Sequence, residues 1–268
     1  MIRDITIGQF YPVESPIHKL DPRVKLMSTL LFIISLFVFD SFAGYVVATI
    51  FLFGVIKASR VPIKFILKGL KAVFFLLLIT TVFNLFLTPG EPLFSLGFIK
   101  ITKEGLRLSL FIALRLVYLI MGSSIMTLTT TPNDLTDGLE KALWPLRKIK
   151  VPVHEISMTM SIALRFIPIL LEETDKIMKA QMARGADFEA KNIIKKAKSL
   201  IPLLVPLFVS AFRRANDLAM AMEARCYRGG EGRTKMKPLI YKKRDYLGYG
   251  VVILYLVVGF IVNRYQFI

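Results

Sequence analysis

Long apolar runs alternate with compact basic segments along the chain. A membrane-crossing helix needs about 20 apolar residues, fewer where flanking Lys and Arg snorkel to the interface. Five runs approach that length: residues 26–39, 42–56, 72–87, 106–128 and 246–262. The first two are separated only by Asp40-Ser41 and read as a tight helical hairpin. Two further apolar stretches, 156–171 and 200–212, contain Pro168 or Pro202 with Pro206, and each runs on into a charged helical segment. They are expected to lie on the membrane surface or partly within it. The pattern predicts an all-α integral membrane protein with about five transmembrane helices and a set of amphipathic helices between the fourth and fifth. Residues 1–128 form an N-terminal membrane domain with four spans, 129–245 the intervening helices, and 246–268 a C-terminal transmembrane helix.

Charge decides the orientation. Lys57, Arg60, Lys64, Lys68 and Lys71 follow the second run, whereas the Asp40-Ser41 turn carries no positive charge. Positively charged loops resist translocation. The N-terminus and the region 129–245 are therefore expected in the cytoplasm, and the C-terminus, by parity, outside. The parity is unchanged if 156–171 and 200–212 both cross. No small-residue cleavage pattern follows the first apolar run, so the sequence predicts that this span is retained. Across the chain, 36 Lys and Arg stand against 19 Asp and Glu, a formal charge of +17. With 54% hydrophobic residues gathered into blocks, that charge suits anionic lipid or an acidic protein partner, and nucleic acid is not expected. A single cysteine, Cys226, excludes an intramolecular disulfide, and His18 and His154 are too far apart in sequence to read as metal ligands. No catalytic or metal residues are expected.

The region 129–245 lacks strand alternation and a glycine-rich phosphate loop, which argues against a nucleotide-binding domain. It reads as helices. Thr131 is placed to cap the first and Pro132 to occupy its first turn, with Leu135, Leu139, Leu143 and Leu146 along one side. This helix ends near Trp144-Pro145, beside Arg147, Lys148 and Lys150, a composition suited to lying on a membrane with its cations near lipid phosphates. Two longer helices follow, and their far ends repeat: Ala180, Ala183 and Arg184 recur as Ala221, Ala224 and Arg225. Before the second arginine, Phe212, Ala215, Leu218, Ala219 and Met222 recur at helical spacing. Small side chains let another surface approach a helix backbone closely. Gly185 after the first arginine is suited to end a helix in the left-handed conformation. Cys226 holds the corresponding place after the second, and the expectation there is that the helix runs on to Gly229. A last-turn arginine can simply offset the helix dipole. Two of them, matched in context, instead suggest plugs for two equivalent acidic pockets, since the guanidinium fork pairs with carboxylates and keeps its charge.

Residues 15–26, Ser-Pro-Ile-His-Lys-Leu-Asp-Pro-Arg-Val-Lys-Leu, closely resemble the opening of the transmembrane coupling subunit of energy-coupling factor transporters, the EcfT or CbiQ-like family. The paired Ala-Arg-Gly signatures of that family are matched by Ala183-Arg184-Gly185 and, less completely, by Ala224-Arg225-Cys226, with Ala180 and Ala221 as supporting small residues. The resemblance extends over essentially the whole chain. It implies a prokaryotic cell-membrane protein that scaffolds an ATP-driven importer of a vitamin, another micronutrient or a metal ion. Its implied partners are two ABC-type ATPases of the EcfA kind, docked on Arg184 and Arg225, and a separate integral membrane subunit, the S component, that binds substrate. No cofactor is implied in this chain; ATP and Mg belong to the ATPases.

The opening motif also has a purely structural reading, because Pro16 and Pro22 break helix and Asp21 is placed to cap the first span. His18, Asp21 and Arg23 are therefore not counted among the site residues. Arg115, mid-way along the fourth span, must face protein or water, either lining a contact with the substrate subunit or pairing with a carboxylate in the bundle. Two other function classes are weighed. A lipid-modifying enzyme requires clustered aspartates, and Asp137-Gly138 and Asn216-Asp217 lack the residues that would complete such motifs. A self-contained secondary transporter or channel would show inverted hydrophobic repeats, whereas the repeat here is cationic and outside the spans.

Overall fold

The computed structural model describes residues 10–96, 99–186, 188, 193–230, 236 and 238–265. The helices run in order α1 (Pro22–Val38), α2 (Phe42–Ser59), α3 (Ile63–Leu87), α4 (Lys103–Thr129), α5 (Pro132–Ala142), α6 (Val153–Ala183), α7 (Ile193–Ala224) and α8 (Lys243–Tyr265). A short antiparallel hairpin, β1 (Pro92–Leu96) and β2 (Ile99–Thr102), joins α3 to α4, pairing Ser95 with Lys100. A 3-10 turn, Trp144–Ile149, joins α5 to α6. The chain divides into two compact units, Gly8–Leu139 with Leu239–Ile268, and Met1–Ile7 with Glu140–Pro238.

In the first unit, local chemistry sets where the helices begin. The Asp21 carboxylate accepts from the Arg23 N–H with Pro22 in the first turn of α1, and Ser41 Oγ accepts from the Gly44 N–H at the start of α2. Thr102 caps α4 through the Gly105 N–H, and Thr131, directly before Pro132, caps α5 through the Asp134 N–H as the sequence predicts. The core forms where α1, α2, α4 and α8 meet, around Phe32, Leu36, Phe39, Tyr45, Leu52, Phe111, Ile125 and Tyr255. Phe51 stacks on Tyr255 with ring centroids 4.3 Å apart, and the Tyr255 hydroxyl meets Ser35 Oγ at 2.7 Å. Gly259 lets α8 close on α1, because a Cβ there would stand 2.3 Å from Phe39 Cζ.

Around this core the outward faces are apolar: Phe37 is 58% exposed, Ile50 69% and Leu254 63%. Such faces are stable in lipid and not in water. Among the described residues, four helices, α2, α4, α6 and α8, are long and apolar enough to cross a membrane, and a fifth span is available in α3. That helix bends by 61° between Ile63–Lys71 and Val73–Leu87, at the junction of its basic approach and its apolar arm. With 17 residues, α1 rises about 26 Å, slightly less than the hydrocarbon thickness. In the second unit, Pro168 does not interrupt α6, nor do Pro202 and Pro206 interrupt α7. The apolar stretch in α6, expected on the membrane surface or partly within it, belongs to an unbroken helix of 31 residues whose length and composition alone would permit a span.

One buried carboxylate joins the two ends of the first unit. Asp245, 1% exposed, accepts from the Lys242 N–H at the start of α8 (2.7 Å) and from the Asp21 N–H at the start of α1 (2.8 Å). Asp21 in turn receives Arg23 Nε and Nη2 at 2.9 Å, while Arg23 donates to the Leu239 carbonyl (3.2 Å) and lies 3.8 Å above the Tyr241 ring. Burial by itself would raise the Asp21 pKa, but the Arg23 side chain and N–H outweigh it and hold the carboxyl below its usual range. His18 stands nearby, with Nε2 donating to the Tyr11 carbonyl (3.0 Å) and Nδ1 accepting from the Ser15 hydroxyl (2.7 Å). The opening motif is thus a folded clasp.

Asp245→Ala strands two backbone N–H groups and is expected to cost about 2–5 kcal/mol, with Asp245→Asn, which keeps one acceptor oxygen, costing less. Thermal unfolding of the detergent-solubilised protein, followed by loss of its monodisperse peak, measures this. An unchanged melting temperature in the alanine variant would show that the clasp contributes nothing.

Candidate docking site

The residues singled out by the repeat lie at the ends of the two longest helices, and those ends are built alike. At the end of α6, the Gly185 N–H bonds to the Met182 carbonyl and the Ala186 N–H reaches back to the Gln181 carbonyl, both at 3.0 Å. At the end of α7, the Cys226 N–H bonds to the Glu223 carbonyl (2.8 Å) and the Tyr227 N–H to the Met222 carbonyl (3.0 Å). Each is a Schellman termination, which satisfies two carbonyls the helix would otherwise leave unpaired. The residue after each arginine takes the left-handed conformation, Gly185 at φ +88° and Cys226 at φ +54°.

This corrects the expectation for Cys226. The helix ends at Ala224, in register with the first copy, and does not continue to Gly229. A left-handed non-glycine residue costs about 1–2 kcal/mol, and two hydrogen bonds of about 1 kcal/mol net each are sufficient to offset it.

Ala180, Ala183, Arg184 and Gly185 are all exposed, as are Ala221, Ala224, Arg225 and Cys226. Among the described residues neither arginine forms an ion pair. Each helix end therefore offers a guanidinium beside a face with no bulky side chain, the surface an acidic groove can receive. The stripe expected on α7 is itself largely open: Phe212 is 68% exposed, Ala215 and Ala219 are exposed, and only Leu218 and Met222 are half-buried.

Contacts that the sequence did not signal hold the two helices together. Glu173 of α6 accepts from Arg214 Nη2 (2.6 Å) and Ser210 Oγ (2.7 Å) of α7, and Gln181 Nε2 donates to the Pro202 carbonyl at 3.4 Å. As α6 advances from 173 to 181, its partner on α7 moves back from 210–214 to 202, so the helices run antiparallel. Arg184 lies just past Gln181, while Arg225 lies 23 residues beyond Pro202. Antiparallel pairing adds the three residues from Gln181 to Arg184, and at 1.5 Å per residue the two arginines are roughly 40 Å apart, at opposite ends of the pair. They cannot enter one pocket.

In the same unit Glu140, 7% exposed, receives Ser157 Oγ (3.3 Å) and faces His154 Nδ1 (3.2 Å), fixing the start of α6. Trp144 is 47% exposed, with the Arg147 guanidinium 4.9 Å and the Lys141 ammonium 5.4 Å from its ring centre. In the membrane unit, Arg115 Nε donates to the Tyr45 hydroxyl (2.9 Å), and its guanidinium lies 5.2 Å from the Phe37 ring. A phenol and a ring, rather than a carboxylate, receive that charge.

Residues 13–236 match the protein family described as CbiQ, cobalt transport protein. The energy-coupling factor transporter transmembrane protein EcfT of Clostridium kluyveri is 58% identical over 249 residues, 92% of each chain. Its counterpart in Ruminiclostridium cellulolyticum is 52% identical over 256 residues, 96% of each chain. That of Bacillus subtilis is 49% identical over 246 residues, 91% of this chain and 93% of the relative. These names denote the membrane subunit of a transporter and not an enzyme. Its apolar helices, its repeated arginine helix ends and its likeness to these relatives along nearly their whole length agree: the chain belongs to the CbiQ/EcfT family of multi-pass transporter membrane proteins.

Proposed function

We propose that this protein is the non-catalytic coupling subunit of an ATP-driven importer, joining two cytoplasmic ABC-type ATPases to an integral membrane subunit that binds a vitamin or another micronutrient, including a metal ion. The observation that carries the reading is the pair of matching, exposed arginine helix ends, roughly 40 Å apart along the α6–α7 pair. Two equivalent plugs separated by that distance fit two equivalent subunits. The relatives' names, which place them in energy-coupling factor transporters, support it. ATP and Mg are bound by the ATPases. Closure of the ATPases on nucleotide moves the helix ends they hold, and the Glu173–Arg214 contact makes α6 and α7 answer together.

In this reading neither α6 nor α7 crosses the bilayer, and both arginine-bearing helix ends face the cytoplasm. The run from Lys57 to Lys71 supports a cytoplasmic N-terminus, and parity then puts the C-terminus outside.

Reversing Arg184 or Arg225 to glutamate is expected to weaken ATPase association at least about 30-fold, the equivalent of about 2 kcal/mol for a buried charged contact. The double variant Arg184→Glu/Arg225→Glu loses association entirely while still inserting in the membrane. Co-purification of tagged protein with its ATPases from native membranes reads both effects, and retained association in the double variant would overturn the docking role. Cys226→Gly is expected to keep docking intact and to relieve left-handed strain by about 0.5–1 kcal/mol. Loss of ATPase binding in that variant would mean that the thiol itself, and not the helix termination, makes the contact.

A further inference from the structure

A cavity of about 580 Å³ opens in the membrane unit, between the starts of α1 and α8 and the ends of α2 and α4. Its wall is almost wholly apolar, with Leu20, Val24, Phe32, Phe51, Ile125 and Val251 among its residues. Lys19, Lys25 and Arg244 are its charged lining residues, and among the described residues no acidic side chain lines it. Lys25 already donates to the Thr129 and His18 carbonyls, at 2.7 and 3.1 Å, which leaves one of its three N–H donors. Lys19 makes an exposed pair with Glu14, and Arg244 is exposed.

We propose that this cavity is a binding site for an anionic phospholipid, which lays one acyl chain against the apolar wall and sets its phosphate at Lys19, Lys25 and Arg244. The dimensions agree. From Val24 to Phe32 the wall descends about 12 Å along α1, close to the roughly 15 Å of a single hydrocarbon leaflet. An acyl chain gains little on moving from bilayer to apolar protein, since lipid tails are as apolar as leucine. The wall therefore accepts any chain, and selection rests with the head group. There the cations, net of the Glu14 carboxylate paired with Lys19, favour a net negative lipid over a zwitterionic one. The position of the site makes the lipid a mortar between the first and last helices, next to the Asp245 clasp. This assignment does not depend on the ATPase docking described above.

The test uses full-length protein purified in mild detergent, with phosphatidylglycerol or phosphatidylcholine added at equal mole fraction and bound lipid counted by native mass spectrometry. Phosphatidylglycerol is expected to be retained and phosphatidylcholine not. The variant Lys19→Gln/Arg244→Gln should weaken retention about 25-fold, fivefold for each charge removed. Gly54 lines the cavity with open space beyond its Cα, so Gly54→Leu fills the site without a backbone clash and should abolish retention while leaving the monodisperse peak unchanged. Equal retention of the two lipids, or phosphatidylglycerol binding unaffected by both variants, would overturn the proposal. So would crosslinking of Gly54→Cys to a helix of a co-purifying membrane protein in place of lipid.

Discussion

The Asp245 carboxylate is the point on which the membrane unit turns. A helix in lipid satisfies its backbone internally except at its ends, and the ends of α1 and α8 meet where neither bilayer nor bulk water reaches. One side chain accepts from both: the Asp21 N–H and the Lys242 N–H. Since α1 and α8 are separated by more than 200 residues of sequence, this contact closes the unit on itself. It brings Tyr255 against Phe32 and Phe39 and sets Gly259 under the Phe39 ring. Arg23, held by Asp21 and resting on Tyr241, extends the same clasp outward.

A charge enters the apolar length of α4. Arg115 lies within α4 and spends its charge on the Tyr45 hydroxyl and the Phe37 ring, both softer partners than a carboxylate. The hydrogen bond ties α4 to α2 without importing a second ion. In the other unit the logic is reversed, and charges fix the geometry. Glu173 bonds Ser210 and Arg214 across the α6–α7 pair, which keeps the two arginine-bearing ends at opposite extremes.

The sequence by itself determined that the chain lives in a membrane, because blocks of apolar residues without charge have no stable place in water. It determined the helix starts at Asp21 and Thr131, because caps and first-turn prolines are local chemistry that needs no distant partner. The repeat of Ala180, Ala183 and Arg184 in Ala221, Ala224 and Arg225 was legible for the same reason, and so was the family resemblance. So was the continuation of the proline-containing stretches 156–171 and 200–212 into charged helical segments, since a missing N–H and a local clash are penalties that the rest of a long helix can absorb.

Only the tertiary structure decided what depends on two distant segments meeting. Asp245 reads in sequence as one more acidic residue at a helix start, and Glu173, Ser210 and Arg214 as unremarkable polar positions; each acquires its role from a partner dozens or hundreds of residues away. The left-handed Cys226 belongs here too. Its residue type argued for a later helix end, but the Glu223 and Met222 carbonyls needed donors where they stand, and the hydrogen bonds prevailed over the side chain's own preference.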